Sequence, residues 1–368
     1  MNDYINLLYE MIKLYTPSGK EEKLAQFIKD RLQNEFKADK VYIDRAGNVI
    51  GVYEGKEPSI LLCGHMDTVP GEIEVKMDNE YIYGRGAVDA KSSLATFISA
   101  VNELRKSGFE NRLIIAAVVD EEDTGKGIKM LIEDSEKVSY AVFGEPSSST
   151  NIVIGYRGGV RVRLEFRTES YHASSIWLGK SAVEAAIEVW EKMRKYNEEA
   201  FSKEKKFDTV TVCLTKISGG ESHNMSPSYC EMKLDIRFPP RIKCENIMEE
   251  LANIASTVCG QKINYKIDVE DYTPPYIAPV KNELVEAFKN AVKKVVGVEA
   301  QLVRKTGSGD MNIYGNITKT PTITYGPGDP KLAHTPYEKI SIREYLESIN
   351  IVKEALTFLQ KNCGKTYL

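Results

Sequence analysis

Three runs in the first part of the chain, "SILLCG", "RLIIAAVVD" and "YAVFGE", are apolar almost throughout and close on Gly, Asp or Glu. A strand with apolar residues on both faces is buried on both faces, as in a parallel sheet covered by helices. Helical segments separate these runs. Apolar residues recur at Ile5, Leu8, Ile12 and Leu14, and "AKSSLATFISAVNELRKSG" reads as a helix closed by Gly108. "KVYIDRAGNVIGVY" reads as a hairpin turning at "RAGN". Ser18 and Glu21 have the spacing of a capping box, which predicts a helix starting at Ser18.

After about residue 156 the strands change character. "GVRVRLEFRTE", "DTVTVCLTKISGG" and "YCEMKLDIRFPP" alternate apolar with polar residues, so one face of each is wet. With the helices "SAVEAAIEVWEKMRKYNEE" and "CENIMEELANIASTVCG" and the strand "KINYKIDVED", the order is βαββαβ, a ferredoxin-like motif. The α/β pattern then resumes with the helix "NELVEAFKNAVKKVVG", an element near "DMNIYG", the strand "TPTITYGPG" and a terminal helix from Ser341. The expected fold class is therefore α/β. A mainly parallel sheet with flanking helices takes residues 1–156 and 272–368, and an inserted α+β ferredoxin-like domain takes residues 157–271. A chain of 368 residues is long for one core, which agrees with two domains.

The net charge of −4 argues against a generic nucleic-acid binder. The cysteines (Cys63, Cys213, Cys230, Cys244, Cys259 and Cys363) include no CxxC pair, which argues against a zinc knuckle or a disulfide framework. No apolar run approaches the roughly 18 residues of a membrane span, and "MNDYINLLYEMIKLY" lacks a signal-peptide pattern. A cytoplasmic protein with reduced thiols is expected.

Polar residues gather where the core strands end. "LLCGHMDTVP" places His65 and Asp67 two apart, so both side chains of an extended segment face one way. Asp89 lies in "GRGAVDAKSS", ahead of a helix; Glu121 and Glu122 follow "VVD"; Glu145 ends "VFGE"; His334 follows the last core strand. Ligands of open α/β sheets bind beyond the carboxyl ends of the strands. Histidines with several carboxylates and no cysteine suit zinc or a similar divalent ion. The set is too rich in carboxylates for one tetrahedral zinc, but it fits two ions about 3.5–4 Å apart sharing a carboxylate. Two cations also make the adjacent acids Asp120 to Asp123 tolerable side by side.

The blocks "GHMDTVP", "GRGAVDAKSSLA", "DEE", "GEP" and "GPG…AHTPYE" closely resemble the signatures of the co-catalytic dizinc amidohydrolases. That superfamily includes aminoacylase, acetylornithine deacetylase, succinyl-diaminopimelate desuccinylase and the carboxypeptidase G group. The resemblance implies that His65 and Glu145 hold one metal, Glu122 and His334 the other, and Asp89 both. The metals would be zinc, with cobalt as an alternative. It implies that Asp67 orients His65 and that Glu121 is a general base acting on water of lowered pKa. His172 matches a block whose histidine reaches a neighbouring active site, which implies a homodimer through the inserted domain. Asn224, Arg237 and the loop containing Gly307, Ser308 and Gly309 match substrate-contact blocks.

"GYRGGV" and "KTGSGDMN" most resemble the archaeal and Thermus-type lysine-biosynthesis branch. Enzymes there release lysine, or ornithine in arginine biosynthesis, from the γ-glutamyl end of an acidic amino-group carrier protein. The alternative is deacetylation of N-acetyl-lysine or N-acetylornithine, or a related deacylase or aminopeptidase activity. An acidic carrier favours a basic entrance, for which Arg157, Arg161 and Arg163 or Lys203, Lys205 and Lys206 are the candidates. Asp123 or Glu221 are candidates for receiving the substrate's cationic side chain.

Overall fold

A computed structural model describes residues 3–134 and 136–362. The chain divides into two compact units. The first takes the chain up to Gly155, Ala278–Val303 and the chain from Ile313; the second takes Tyr156–Ile277 and Arg304–Asn312. The stretch Arg304–Asn312 therefore packs with the second unit although it lies far beyond it in sequence.

The core of the first unit is a sheet in the order Lys40–Ile43, Val49–Tyr53, Asn111–Val118, Lys56–His65, Tyr140–Gly144, Thr322–Thr324, Asn151–Tyr156. The strands Asn111–Val118, Lys56–His65, Tyr140–Gly144 and Thr322–Thr324 run parallel to one another. The hairpin Lys40–Ile43 and Val49–Tyr53 is antiparallel and closes one edge. The continuous apolar runs form the central strands: Leu113 to Val118, Ile60 to Cys63 and Ala141 to Phe143 are all buried. Helix Lys91–Lys106 is buried over most of its surface, with Phe97, Ile98 and Val101 in the core. Parallel strands point their carboxyl ends the same way, so whatever follows them collects at one rim of the sheet.

One local expectation is overturned. The second helix is Glu22–Asp30, its N-cap is Glu21, and no side chain caps it. Ser18 Oγ instead donates to Asp67 Oδ2 at 2.7 Å, and Glu21 Oε1 accepts the N–H of Gly19 and of Asp120, each at 3.1 Å. The two residues have capping-box spacing, but the Asp67 carboxylate takes the Ser18 hydroxyl and the N–H groups of Gly19 and Asp120 take the Glu21 carboxylate.

The second unit holds a four-stranded antiparallel sheet in the order Thr211–Gly219, Tyr229–Phe238, Gly158–Arg167, Asn264–Thr273. With helices Ala182–Ala200 and Cys244–Cys259 this is the ferredoxin-like arrangement. Val160, Val162, Leu164 and Phe166 face a core shared with Ala185, Val189 and Leu251, while the intervening residues face outward. Helix Ala182–Ala200 begins with a true capping box between Ser181 and Glu184. Cys63, Cys213, Cys230, Cys244 and Cys259 are free thiols, and Cys363 lies outside the described residues. Among the described residues no helix is long and apolar enough to cross a membrane.

Candidate metal centre

The rim of the parallel strands brings together His65, Asp67, Asp89, Glu121, Glu122, Glu145 and His334. His65 is the last residue of its strand, and Glu145 directly follows the strand Tyr140–Gly144. Glu121 and Glu122 lie just past the strand Asn111–Val118. Asp89 precedes helix Lys91–Lys106, and the Asp89–Ala90 peptide is cis.

Asp89 stands at the middle. Its Oδ1 lies 3.4 Å from His65 Nε2 and its Oδ2 lies 3.2 Å from His334 Nε2. His65 Nε2 is also 3.5 Å from Glu145 Oε1, and His334 Nε2 is 3.0 Å from Glu122 Oε1. Each oxygen of Asp89 thus belongs to a separate cluster of one imidazole and two carboxylates. Ligands about 2.0–2.1 Å from a tetrahedral zinc ion lie roughly 3.3 Å apart, so the separations of 3.4 and 3.5 Å around His65 Nε2 suit a shared ion better than a direct hydrogen bond. His65 Nε2 is sealed from solvent and has no hydrogen-bond partner, which is the condition of a ligand atom aimed at a cation. The donor set therefore fits divalent ions. Ligand atoms of His65, Asp89 and Glu122 lie within 4.8 Å of one another, and so do those of His65, Glu121 and Glu145. Glu121 is close enough to be either base or ligand.

The acids and imidazoles hold each other's charge in the metal-free state. His334 is pushed up to about 10 by its hydrogen bonds to Asp89 and Glu122. Burial works against the proton of His65, but Asp67, Asp89 and Glu145 outweigh it and hold the imidazole well above its usual range. Burial also opposes the charge of Asp89, yet His334 and His65 keep its carboxyl well below the usual value. Glu122 is raised, chiefly by burial and then by the charge of Asp89, against the opposing effect of His334.

Asp67 does more than face His65. Its backbone carbonyl lies 2.9 Å from His65 Nδ1, with its carboxylate Oδ1 at 3.5 Å. Its two carboxylate oxygens accept the N–H groups of Glu121 and Glu122, each at 3.0 Å. Burial opposes its ionisation, but His65, Ser18 and the Glu122 N–H lower its pKa.

The loop bearing the two glutamates is held along its length. Asn48 Oδ1 accepts the Val119 N–H at 3.0 Å, and its Nδ2 donates to Gly127 O at 2.8 Å. A Cβ at Gly127 would lie 2.3 Å from Val119 O and 2.7 Å from Asn48 Oδ1, so only glycine closes this loop. Asp120 sits at φ 62° and its carboxylate accepts the Thr124 hydroxyl, so this acid shapes the turn. Asp123 is exposed on the same loop.

Sequence reasoning missed Asn48, Glu338 and Lys91, and read Glu21 as a capping-box partner where its carboxylate instead accepts the Asp120 N–H. Lys91 is fully buried, donates to Leu14 O at 2.5 Å, and burial pushes its ammonium down to about 7. A buried lysine or glutamate beside an acid cluster carries no local sequence signal.

The other predicted residues belong to the second unit. His172 is exposed, with Nδ1 2.7 Å from Ser174 Oγ. Asn224 Oδ1 accepts from Ser222 Oγ at 2.6 Å. Arg237 is paired with Asp235 through Nε at 2.5 Å and Nη2 at 2.8 Å, and its Nη1 donates to Ser308 Oγ. Gly309 N–H donates to Asn312 Oδ1 at 3.1 Å, and a Cβ at Gly307 would meet nothing within 4 Å. Glu221 is exposed.

The arginines proposed for a basic entrance are occupied. Arg157 is buried and donates to Thr306 O and Thr209 O. Arg163 faces Glu165, Glu231 and Asp268, and Arg161 lies 3.6 Å from Asp235. Alternation put Arg161 and Arg163 on the wet face, where acids of the sheet neutralise them, while Arg157 precedes the strand and is buried.

Residues 61–357 match the model of peptidase family M20/M25/M40. The chain belongs to this peptidase family. It is 34% identical to a LysW-lysine/LysW-ornithine hydrolase of Saccharolobus islandicus, over 92% of this chain and 90% of that one. It is 36% identical to a protein of Pyrococcus abyssi that carries the same name provisionally, over 100% of this chain and 97% of that one. Among solved structures, a tripeptidase of Staphylococcus aureus aligns with a TM-score of 0.84 at 20% identity, covering 97% of this chain and 98% of that chain. An M20 metallo-carboxypeptidase of Sulfolobus solfataricus aligns at 0.81 and 19% identity, covering 97% and 99%. As an M20/M25/M40 family member with hydrolase-named relatives, the chain is a hydrolase acting on an amide bond.

Proposed function

We propose that this chain is a two-metal amidohydrolase that releases lysine or ornithine from the γ-glutamyl end of an acidic amino-group carrier protein in the cytoplasm. The observation that carries the substrate is the relatives' name, LysW-lysine/LysW-ornithine hydrolase, on proteins matched along nearly their whole length. In this reading His65, Glu145 and Asp89 would hold one ion, and His334, Glu122 and Asp89 would hold the second, zinc or cobalt. Such ions supply a water of lowered pKa and polarise the amide carbonyl. Glu121 takes the proton of the attacking water and returns it to the leaving α-amine. Asp67 holds both glutamates in register by their backbone N–H groups. Asn224, Arg237 and the loop Gly307 to Gly309 contact substrate, Arg237 through a carboxylate. The inserted domain forms a homodimer, and His172 of one copy serves the other copy's site. The direct experiment incubates the purified protein with the lysine conjugate of the carrier. The carrier should lose the mass of one lysine residue, and exhaustive chelation should stop the loss. An unchanged carrier mass rejects the substrate.

Metal loading should be proton-coupled. His334, pushed up to about 10, and His65, also raised, carry protons at pH 7 in the metal-free protein and must lose them to bind. Zinc titration at pH 7 should therefore release about two protons and weaken as pH falls. Calorimetry in buffers of different ionisation enthalpy measures this. Zero release contradicts the ligand assignment of the histidines.

The exposed lysines Lys203, Lys205 and Lys206 support carrier docking. Arg304 adds charge beside them, its guanidinium 5.5 Å from the Phe207 ring centroid. Changing the three lysines to Glu should raise KM for the carrier conjugate about 10-fold or more at low salt. It should leave N-acetyl-lysine turnover unchanged. An equal effect on both substrates removes this patch from docking.

A further inference from the structure

The loop that carries Asp89 and the loop that carries His334 are laced together by one side chain. Glu338 is wholly buried. Its Oε1 accepts three backbone N–H groups, from Gly86 at 3.1 Å, Val88 at 2.9 Å and Asp89 at 2.8 Å. Its Oε2 lies 3.0 Å from Arg85 Nη1. Arg85 is buried too; its Nη1 also donates to Thr335 O at 3.1 Å, next to His334, and its Nε donates to Gly71 O at 2.9 Å. The Gly84 N–H returns to Glu338 O at 3.3 Å. Gly86 at φ +88° has no room for a Cβ, which would lie 2.9 Å from Lys91 Cδ. The clamp therefore determines the backbone of Asp89 and of the segment that follows His334.

We propose that Glu338 is a positioning residue of the reaction: it holds the Asp89 carboxylate against the His334 imidazole and so sets the second ion site. The inference rests on the two-ion reading above. A buried carboxylate that only stabilised the fold would have no reason to act on one ion more than the other. His65 ends the strand Lys56–His65 and Glu145 follows the strand Tyr140–Gly144, so of the three groups at that site only Asp89 belongs to the clamped loops. The site made by His334, Glu122 and Asp89 takes two of its three members from the clamped loops. Loss of Glu338 should therefore weaken one ion selectively.

The test prepares the metal-free full chain as wild type, Glu338→Gln and Glu338→Ala, and titrates each with zinc against a competing chelator. Circular dichroism confirms folding. Wild type should take up two equivalents. In Glu338→Ala one of the two ions should lose roughly 10–100-fold in affinity, while the other stays near its wild-type value. Glu338→Gln keeps one oxygen for the N–H groups but sets an amide against Arg85, so it should fall between the two. Excess zinc should restore most turnover in both variants. A folded variant that binds both ions as wild type does, or loses both equally, overturns the inference. Should the alanine variant not fold, the glutamine variant decides by the same criterion. Wild type holding fewer than two ions would fail the two-ion reading itself and take this inference with it.

Discussion

Glu121→Gln should retain both metal equivalents and lose about 10²–10⁴-fold in kcat, the range of a general base. The substitution is nearly isosteric. It keeps the Glu121 N–H on Asp67 and removes only the capacity to take a proton. The prediction discriminates, because the Glu121 carboxylate lies close enough to His65 and Glu145 to act as a ligand. Metal content and turnover must therefore be measured on the same preparation. A variant with one ion missing would make Glu121 a ligand and leave the proton transfer to another group. A variant with both ions and near-normal kcat would remove Glu121 from the chemistry.

Asp67→Ala has the second large expected effect, and it acts through structure. Asp67 is completely buried, accepts two backbone N–H groups and the Ser18 hydroxyl, and faces His65. Its removal leaves those donors without an acceptor in a dry site, at a cost of roughly 3–5 kcal/mol. The same change frees the loop that carries Glu121 and Glu122, so metal affinity should fall about 10–100-fold. Asp67→Asn retains one carbonyl oxygen and should lie between wild type and alanine. Denaturant unfolding of the metal-free proteins and zinc titration measure the two effects separately. An alanine variant within about 1 kcal/mol of wild type would show that Asp67 does not hold the loop.

The parts of the site that were readable in the sequence share one property. His65, Asp89, Glu121, Glu122 and Glu145 follow an apolar strand or a glycine turn within a few residues, so local pattern alone placed them at the rim. The βαββαβ order likewise gave the second unit's sheet, because its alternating strands announce a half-buried face. The supports were not readable. Asn48 reaches Val119 across 71 residues, Glu338 reaches Asp89 across 249, and Glu21 reaches Asp120 across 99. Each is an ordinary polar residue until the fold supplies its partner. Ser18 and Glu21 show the same limit from the other side: a correct local spacing was overridden by distant partners, the Asp67 carboxylate for Ser18 and the Asp120 N–H for Glu21. Arg161 and Arg163 looked like a basic surface because one strand shows its own charges and hides those of its neighbours, and Arg157 because its burial against Thr209 and Thr306 leaves no local mark. Arg304–Asn312 joins the second unit although it follows the return to the first in sequence.

The most direct measurement compares kcat/KM for the lysine conjugate of the carrier protein with kcat/KM for N-acetyl-lysine, on the same metal-loaded enzyme. The carrier conjugate should be the better substrate by about 10-fold or more, as expected when a charged docking surface adds to the contacts at the reacting bond. An equal or higher value for N-acetyl-lysine would contradict it and make the chain a small-molecule deacylase built on the same metal centre.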